Sequence, residues 1–328
     1  MTHDEAIVKF TSLFKHEMSD AAMREFLEGM RLDETTPVAV IAAAAHVMRS
    51  FAIALPVSDE LRENALDIVG TGGDKIGSFN ISSTVALLAT SCGATVAKHG
   101  SRSITSKSGS ADMFEALGVR LDLGIEQSAK LLEETGFTFM FAQNHHPAMK
   151  FIVPVRKSIP EKTIFNILGP LTNPAGVKKS MLGVFDKAFV PKMAEALQIN
   201  GATSALVVSS NEGMDEISIS DITYASLLQN GKTEEFIIDP REYGIKKAPL
   251  EAIMGGDARE NANILRNIFD NTATEAQRDI VLINTAASLM VDGLARDIQD
   301  GLEMAREAIA NARPKVKLKQ IIETSNKL

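Results

Sequence analysis

Apolar residues recur at helical spacing from the N-terminus to about residue 64. Phe10, Leu13 and Phe14 share one face of a predicted helix, and Ser19 is placed to cap a second that carries Met23, Phe26, Leu27 and Met30. Thr36-Pro37 opens an alanine-rich third helix, with proline at the first helical position, where no N–H is needed. From Leu66 the period changes. LDIVG (66–70) reads as a strand, residues 81–92 as a helix ended by Gly93, and ATVAK (94–98) as a second strand. Residues 111–117 read as a helix closed by Gly118 and 125–135 as a helix before Gly136, followed by a strand at FTFMFA (137–142). Strands separated by single helices with glycine C-caps predict an α/β fold with a mostly parallel sheet. A helical stretch, HPAMKFIVPVRK and KTIFNIL, interrupts the sheet before GPLTNP. Strand-like runs resume at MLGVF (181–185) and SALVVS (204–209), and residues 217–238 read as a meander of short strands. Asp257 and Glu260 form a capping box for a helix over 258–270, and everything beyond is helical, ending in the basic PKVKLKQ.

Composition narrows the function classes. The 328 residues carry a net charge of -8 and lack tryptophan, so neither a basic footprint nor base-stacking platforms point to nucleic acid. A single cysteine, Cys92, excludes an internal disulfide framework and suits a reducing compartment, with cytoplasm as the expected location. The opening MTHDEAIVKF carries acids and no apolar core of signal-peptide type. The most apolar stretch, Val38 to Leu55, contains His46 and Arg49 and falls short of the roughly 20 apolar residues a membrane span needs; it reads as a buried or interface helix.

GTGGDKIGSFN (70–80) has four glycines in eight positions between a predicted strand and a predicted helix, where an α/β fold binds ligands. The dinucleotide fingerprint fails because its third glycine position is Lys75, and the P-loop pattern fails because Ser78 follows Gly77 in place of lysine. What survives is physical: closely spaced glycines bring backbone N–H groups to an anion, with Asn80 or Ser82 adding donors at a positive helix end. The alternative is a tight structural turn. KHGSRSITSKSGSAD (98–112) supplies Lys98, His99, Arg102 and Lys107 after the next strand, as a cationic loop or as a solvated one. NHHPAMKFIVPVR brings His145, His146 and Arg156. Its histidine pair lacks metal-ligand spacing, and Arg156 suits a carboxylate clamp or a surface ion pair. Asp215 and Glu216 in NEGMDEIS suit magnesium or an exposed acidic turn.

Taken together, GTGGD, the NIS at 80–82, KHG-x-R, KSGSAD, HPAMK followed by Arg156, TIFNILGPLTNPA and the MDE at 214–216 resemble, in this order, the anthranilate phosphoribosyltransferases. The resemblance implies a nucleoside phosphorylase/phosphoribosyltransferase-like fold. A small helical domain (1–64, completed by about 147–175) would stand beside a large α/β domain (65–146 and 176–328), with the active site in the cleft. It further implies a homodimer through the helical domain, which the alanine-rich helix suits.

The implied reaction joins anthranilate to phosphoribosyl pyrophosphate and releases pyrophosphate, with Mg2+ as cofactor and no nucleic acid or membrane partner. On this resemblance Gly70, Gly72, Gly73, Asp74, Asn80, Ser82, Ser83, Lys98 and Ser110 serve the phosphoribosyl donor, with Asp74 orienting the loop. Asp215, Glu216 and Ser82 hold the metal. Gly70, His99, Ser101, His146, Arg156 and Pro170 serve anthranilate, Arg156 taking its carboxylate. The chain departs from the family pattern at Ser101, where asparagine is usual, at Ser83, where threonine is usual, and at Lys162, which replaces the arginine of GIRTIFN. A pyrimidine nucleoside phosphorylase of the same fold is the nearest alternative, but its lysine-and-arginine substrate signature is not found. A non-catalytic nucleic-acid-binding relative disagrees with the acidic pI of about 5.4.

Overall fold

Four helices begin the chain: α1 (His3–Phe14), α2 (Asp20–Glu28), α3 (Val38–Ser50) and α4 (Asp59–Asn64). The computed structural model describes residues 1–102 and 107–328. Thr2, Ser19 and Ser58 cap α1, α2 and α4 through their hydroxyls, as the sequence predicts for Ser19. Pro37 is the N-cap of α3 and not its first helical residue. Only His46 and Ser50 of α3 are exposed; Ala42 to Ala45 are fully buried within the chain. Its alanines let neighbouring helices approach closely, so this helix is a core element of its own chain and offers a partner little surface.

Seven strands follow: β1 (Leu66–Gly70), β2 (Val96–Gly100), β3 (Phe137–Phe141), β4 (Lys179–Gly183), β5 (Ser204–Ser210), β6 (Thr223–Gln229) and β7 (Lys232–Ile238). They form one sheet in the order β3-β2-β1-β4-β5-β6-β7, parallel from β3 to β5 and antiparallel at β6 and β7. Three strand expectations shift. β2 starts two residues later than predicted, because Ala94 closes the turn after the intervening helix by donating to the Ala89 carbonyl. It also extends to Gly100, which adds His99 to the strand and takes it out of the loop. β4 starts two residues early, because the Lys179 backbone already pairs with Leu66 of β1 and Ser204 of β5. The predicted meander is a single hairpin of two seven-residue strands.

The crossovers and the interruption supply α5 (Ile81–Ser91), α6 (Ser110–Leu117), α7 (Ile125–Thr135), α8 (Ala142–His145), α9 (Met149–Lys157), α10 (Phe165–Leu168) and α11 (Val190–Ile199). The chain ends in α12 (Ala258–Phe269), α13 (Glu275–Asp292), α14 (Ile298–Ala310) and α15 (Arg313–Lys327). The capping box of Asp257 and Glu260 is formed on α12. Among the described residues no helix is long and apolar enough to cross a membrane.

Strand alternation divides the core. Leu66, Ile68, Val96 and Met181 face α5, α12, α13 and α14 in one apolar cluster, while Leu182, Val184, Ala205 and Val207 face the other way. The second cluster continues into α1, α2, α3, α9, α10 and α11, so the helical segments share a core with one face of the sheet. A short antiparallel bridge of Arg31 with Thr163 stitches the interrupting segment to the N-terminal helices. Strand order reverses direction between β1 and β4, and this switch point opens a crevice at the carboxyl ends of the parallel strands.

Candidate active site

Gly70 ends β1 and Gly183 ends β4, and the two are register partners across the switch point. Both face Asp215. A Cβ on Gly70 would press on the Asp215 carboxylate, 2.9 Å from its Cγ, and a Cβ on Gly183 would overlap the Asp215 carbonyl and lie 3.0 Å from its Cα. The two paired glycines therefore leave a bare patch on the sheet edge on which the 211–216 segment lies. Buried Met214 and Ile217 anchor that segment: Met214 N–H donates to Ser210 Oγ at 3.0 Å, and Asn284 bonds both the amide and the carbonyl of Ile217 at 2.8 Å.

The acids then reach the glycine loop. Asp215 Oδ2 accepts the Gly72 N–H at 2.7 Å, and Glu216 Oε1 accepts the Ser82 N–H at 3.0 Å in the first turn of α5. Gly72, Gly73 and Gly77 all have positive φ (66°, 75° and 79°), which is how the chain folds back without side-chain clashes. Asp74 accepts the Ile76 amide at 3.2 Å, and the far side of the loop is pinned to residues 253–255 by Phe79 N–H to the Ile253 carbonyl and Gly255 N–H to the Gly77 carbonyl.

Charge in this cluster is unbalanced. Burial first, then Asp74, raises the Asp215 carboxyl to about 6; burial and then Asp215 raise Glu216 well above the usual carboxylate range. Asp74 is raised too, chiefly by burial. Both Asp215 and Glu216 keep part of their surface open to solvent, so these acids crowd one another at an accessible edge. The ammonium buried beside them is Lys98, which is 1% exposed, bonds the Ile68 carbonyl and lies 3.3 Å from Ser82 Oγ. Burial lowers its pKa. Three acids against one buried lysine make a donor set of hard oxygens with surplus negative charge, which fits a magnesium ion. Among the described residues no three acid or histidine side chains form a ready-made cage. An ion here would take Asp215 and Glu216 and complete its shell from phosphate and water.

Other donor-side residues take different positions from those their types suggest. Lys98 lies beneath the loop. The Ser83 hydroxyl is fully buried and unpartnered, so Ser83 faces the protein interior. Asn80 is the N-cap of α5 but does not cap it; its amide donates to the Ser108 carbonyl at 3.2 Å and accepts from Asn261 at 2.8 Å, joining two loops. Ser110 starts α6 beside Gly100, and Ser101 is exposed. The cationic loop is less cationic than its composition, because Arg102 pairs with Asp112 at 2.8 Å and Glu115 at 2.5 Å. Its residues 103–106 lie outside the described residues.

On the opposite face of β2, His99 and His146 tilt together with ring centroids 5.1 Å apart. Burial pushes His99 down to about 3 and His146 to about 4, so both rings are neutral at pH 7. The Gly169 carbonyl holds the His99 ring and the Thr172 carbonyl that of His146, while both Nε2 atoms are buried without a partner. Arg156 on α9 is half-buried with its Cζ 6.0 Å from the Phe165 ring centroid, and burial lowers its pKa. Among the described residues it has no carboxylate within ion-pair distance, unlike Arg102. A desolvated guanidinium without an acid is a ready carboxylate receptor. Pro170 is buried in the 3₁₀ turn 169–171; the cavity of about 20 Å³ that it borders with Arg49 and Asn200 has room for a water and not for a substrate.

Sequence reading misses Gly183, whose signal is a glycine inside the MLGVF run, a mark of close backbone approach. It also misses Asn173, which donates to the Ala97 carbonyl at 2.8 Å and bonds Asp67, and Thr71, whose Oγ1 accepts the Phe185 N–H at 3.2 Å.

Residues 62–313 match the a/b domain of a glycosyl transferase family. Anthranilate phosphoribosyltransferase of Xanthobacter autotrophicus is 42% identical over 328 residues, covering 100% of this chain and 94% of the relative. The crystal structure of the enzyme of that name from Thermus thermophilus superposes with a TM-score of 0.92 at 36% identity, over 99% of this chain and 96% of that one. The Saccharomyces cerevisiae enzyme in complex with PRPP and Mg gives 0.86 at 27% identity, over 99% and 93%. Identity of this extent over whole chains, on a sheet whose switch point carries the glycine loop and the acidic pair, makes the chain a member of the anthranilate phosphoribosyltransferase family of pentosyltransferases.

Proposed function

We propose that this chain transfers the 5-phosphoribosyl group of phosphoribosyl pyrophosphate to the amino nitrogen of anthranilate, releasing pyrophosphate, in tryptophan biosynthesis. The observation that carries this is Asp215, seated on two paired glycines and bonded by the Gly72 amide, with Glu216 beside it at the start of α5. The yeast neighbour's complex with PRPP and Mg supports the donor and the ion. Cleaving the C1–O bond builds positive charge on the ribose and negative charge on the leaving group, so positioned charge does most of the catalysis. The glycine loop 70–77 and the positive end of α5 receive the pyrophosphate; Asp74 shapes that loop and Lys98 sets the field beneath it. Magnesium, held by Asp215 and Glu216 beside Ser82, would neutralise the leaving group.

Arg156 takes the anthranilate carboxylate, and the neutral rings of His99 and His146 with Pro170 and Ser101 shape the acceptor's path. Neither histidine is charged at neutral pH, which keeps repulsion from the developing ribosyl cation low. The helical unit (1–64 and about 147–175) and the α/β unit (65–146 and 176–328) form the two walls of the cleft. The expected homodimer uses outer faces of the helical unit, since α3 is already covered. A cytoplasmic location accompanies this reading.

Anthranilate fluoresces, so mixing folded protein, both substrates and Mg2+ is expected to extinguish the signal, and EDTA to prevent it. A steady signal with all components present overturns the assignment. For Arg156→Ala, loss of a charge-assisted, two-pronged contact worth about 1.5–3 kcal/mol predicts a rise of roughly 10- to 100-fold in the KM for anthranilate. The KM for phosphoribosyl pyrophosphate should stay put; the reverse pattern would move Arg156 to the donor site.

A further inference from the structure

Lys162 lies in the interrupting segment, far in sequence from the glycine loop, yet its ammonium ends beside it. The backbone here is fixed: Leu32 N–H donates to the Lys162 carbonyl at 2.9 Å, and Thr163 bridges Arg31. From that base the Lys162 Nζ reaches 3.2 Å from the centroid of the Phe185 ring. Phe185 is itself keyed to the loop, because its N–H donates to Thr71 Oγ1 at 3.2 Å. The charges that act on Lys162 are Lys75, which repels it, and Asp186 and Asp74, which attract it more weakly.

Glu161, the adjacent acid, is engaged by Arg31 at 3.0 Å. Among the described residues neither Lys162 nor Lys75 has an acid within ion-pair distance. Lys75 belongs to the loop itself and holds a left-handed φ of 62°, and Lys162 comes from the other wall. Two like charges are thus presented to one place from opposite walls, and one of them is steadied by an aromatic face in place of a carboxylate. Burial and then Lys75 depress the Lys162 pKa, and the attraction of Asp186 and Asp74 offsets only part of that.

We propose that Lys162 is a pyrophosphate-binding residue, carried by the helical wall and reaching across the cleft to the anion that the 70–77 loop holds. The inference rests on the donor-site reading above. It gives the leaving group a cation from the wall opposite the acids, so departure of pyrophosphate loosens the contact between the walls. It also gives the charge carried by Lys162 a use that packing against Phe185 alone does not require.

The test is calorimetric titration of magnesium pyrophosphate into the full chain and into Lys162→Met and Lys162→Arg, beside the KM values for both substrates. The methionine variant keeps a long apolar stem against Phe185 and should melt with wild type, yet bind pyrophosphate about tenfold more weakly, with the deficit shrinking between 50 and 500 mM salt (about 14 to 4 Å of Debye length). Arginine should restore binding to within about threefold, and the KM for anthranilate should not change. Methionine binding within twofold of wild type overturns the inference, as does failure of arginine to rescue or an equal loss for both substrates. A wild-type chain that binds no pyrophosphate and consumes no anthranilate overturns the functional reading itself, which separates the two failures.

Discussion

Gly183→Ala is expected to reduce kcat/KM by at least about a hundredfold, the largest loss of any single methyl group added to this protein. The added Cβ would overlap the Asp215 carbonyl and stand 3.0 Å from its Cα. Because the obstacle is backbone, no rotamer change relieves it; the 211–216 segment must lift off the sheet and take both acids with it. Gly70→Ala meets the flexible end of the same residue, with Asp215 Cγ at 2.9 Å, so rotation about the side chain can absorb part of the clash. The expected order of damage is therefore Gly183→Ala above Gly70→Ala. Gly29→Ala serves as control, since its φ is -70° and its new Cβ would meet nothing closer than 3.4 Å. The readouts are kcat/KM, circular dichroism and the melting shift on adding Mg2+. An alanine at 183 that keeps activity within tenfold of wild type would show that the acids do not need this seat.

The sequence was most informative where local chemistry decides the outcome. The strand at 66–70, the helix at 125–135 and the capping box of Asp257 with Glu260 follow from alternation, glycine C-caps and side-chain caps, all of which are encoded within a few residues. The glycine loop announced itself by composition. What could not be read is set by contacts distant in the chain. Lys98 ends the predicted strand and opens the cationic loop, but nothing local shows that it is held at 1% exposure among acids from elsewhere. Arg102 looks like a free cation, yet Asp112 and Glu115 take it up. Gly183 looks like an ordinary strand glycine until the 211–216 segment is laid across it. Composition left α3 open between a buried and an interface helix, since small residues suit a close helix contact within one chain as well as between two; its burial within the chain is as that reading allows.

Glu216→Gln separates the two purposes that an acid at this edge can serve. Glutamine is nearly isosteric and its Oε1 still accepts the Ser82 N–H now made at 3.0 Å, so the start of α5 should persist. What disappears is charge. Burial and Asp215 act on Glu216 more strongly than Lys98 does, so the ionised carboxylate is held at a net electrostatic cost that its neutral analogue avoids. Partial solvent access screens that cost, which limits the relief to about 1 kcal/mol or less. In EDTA the variant should accordingly melt at the wild-type temperature or slightly above it. With Mg2+ the order reverses: an ion bound by the folded state stabilises it by mass action, and the variant loses most of that increment along with about a hundredfold or more of kcat/KM. A loss of activity accompanied by lower stability in EDTA would make Glu216 a structural acid instead. Equal stabilisation by Mg2+ in both proteins would place the ion elsewhere. The predicted combination, a fold no weaker and a catalyst nearly silent, is what an acid kept for a cation and not for the fold must give.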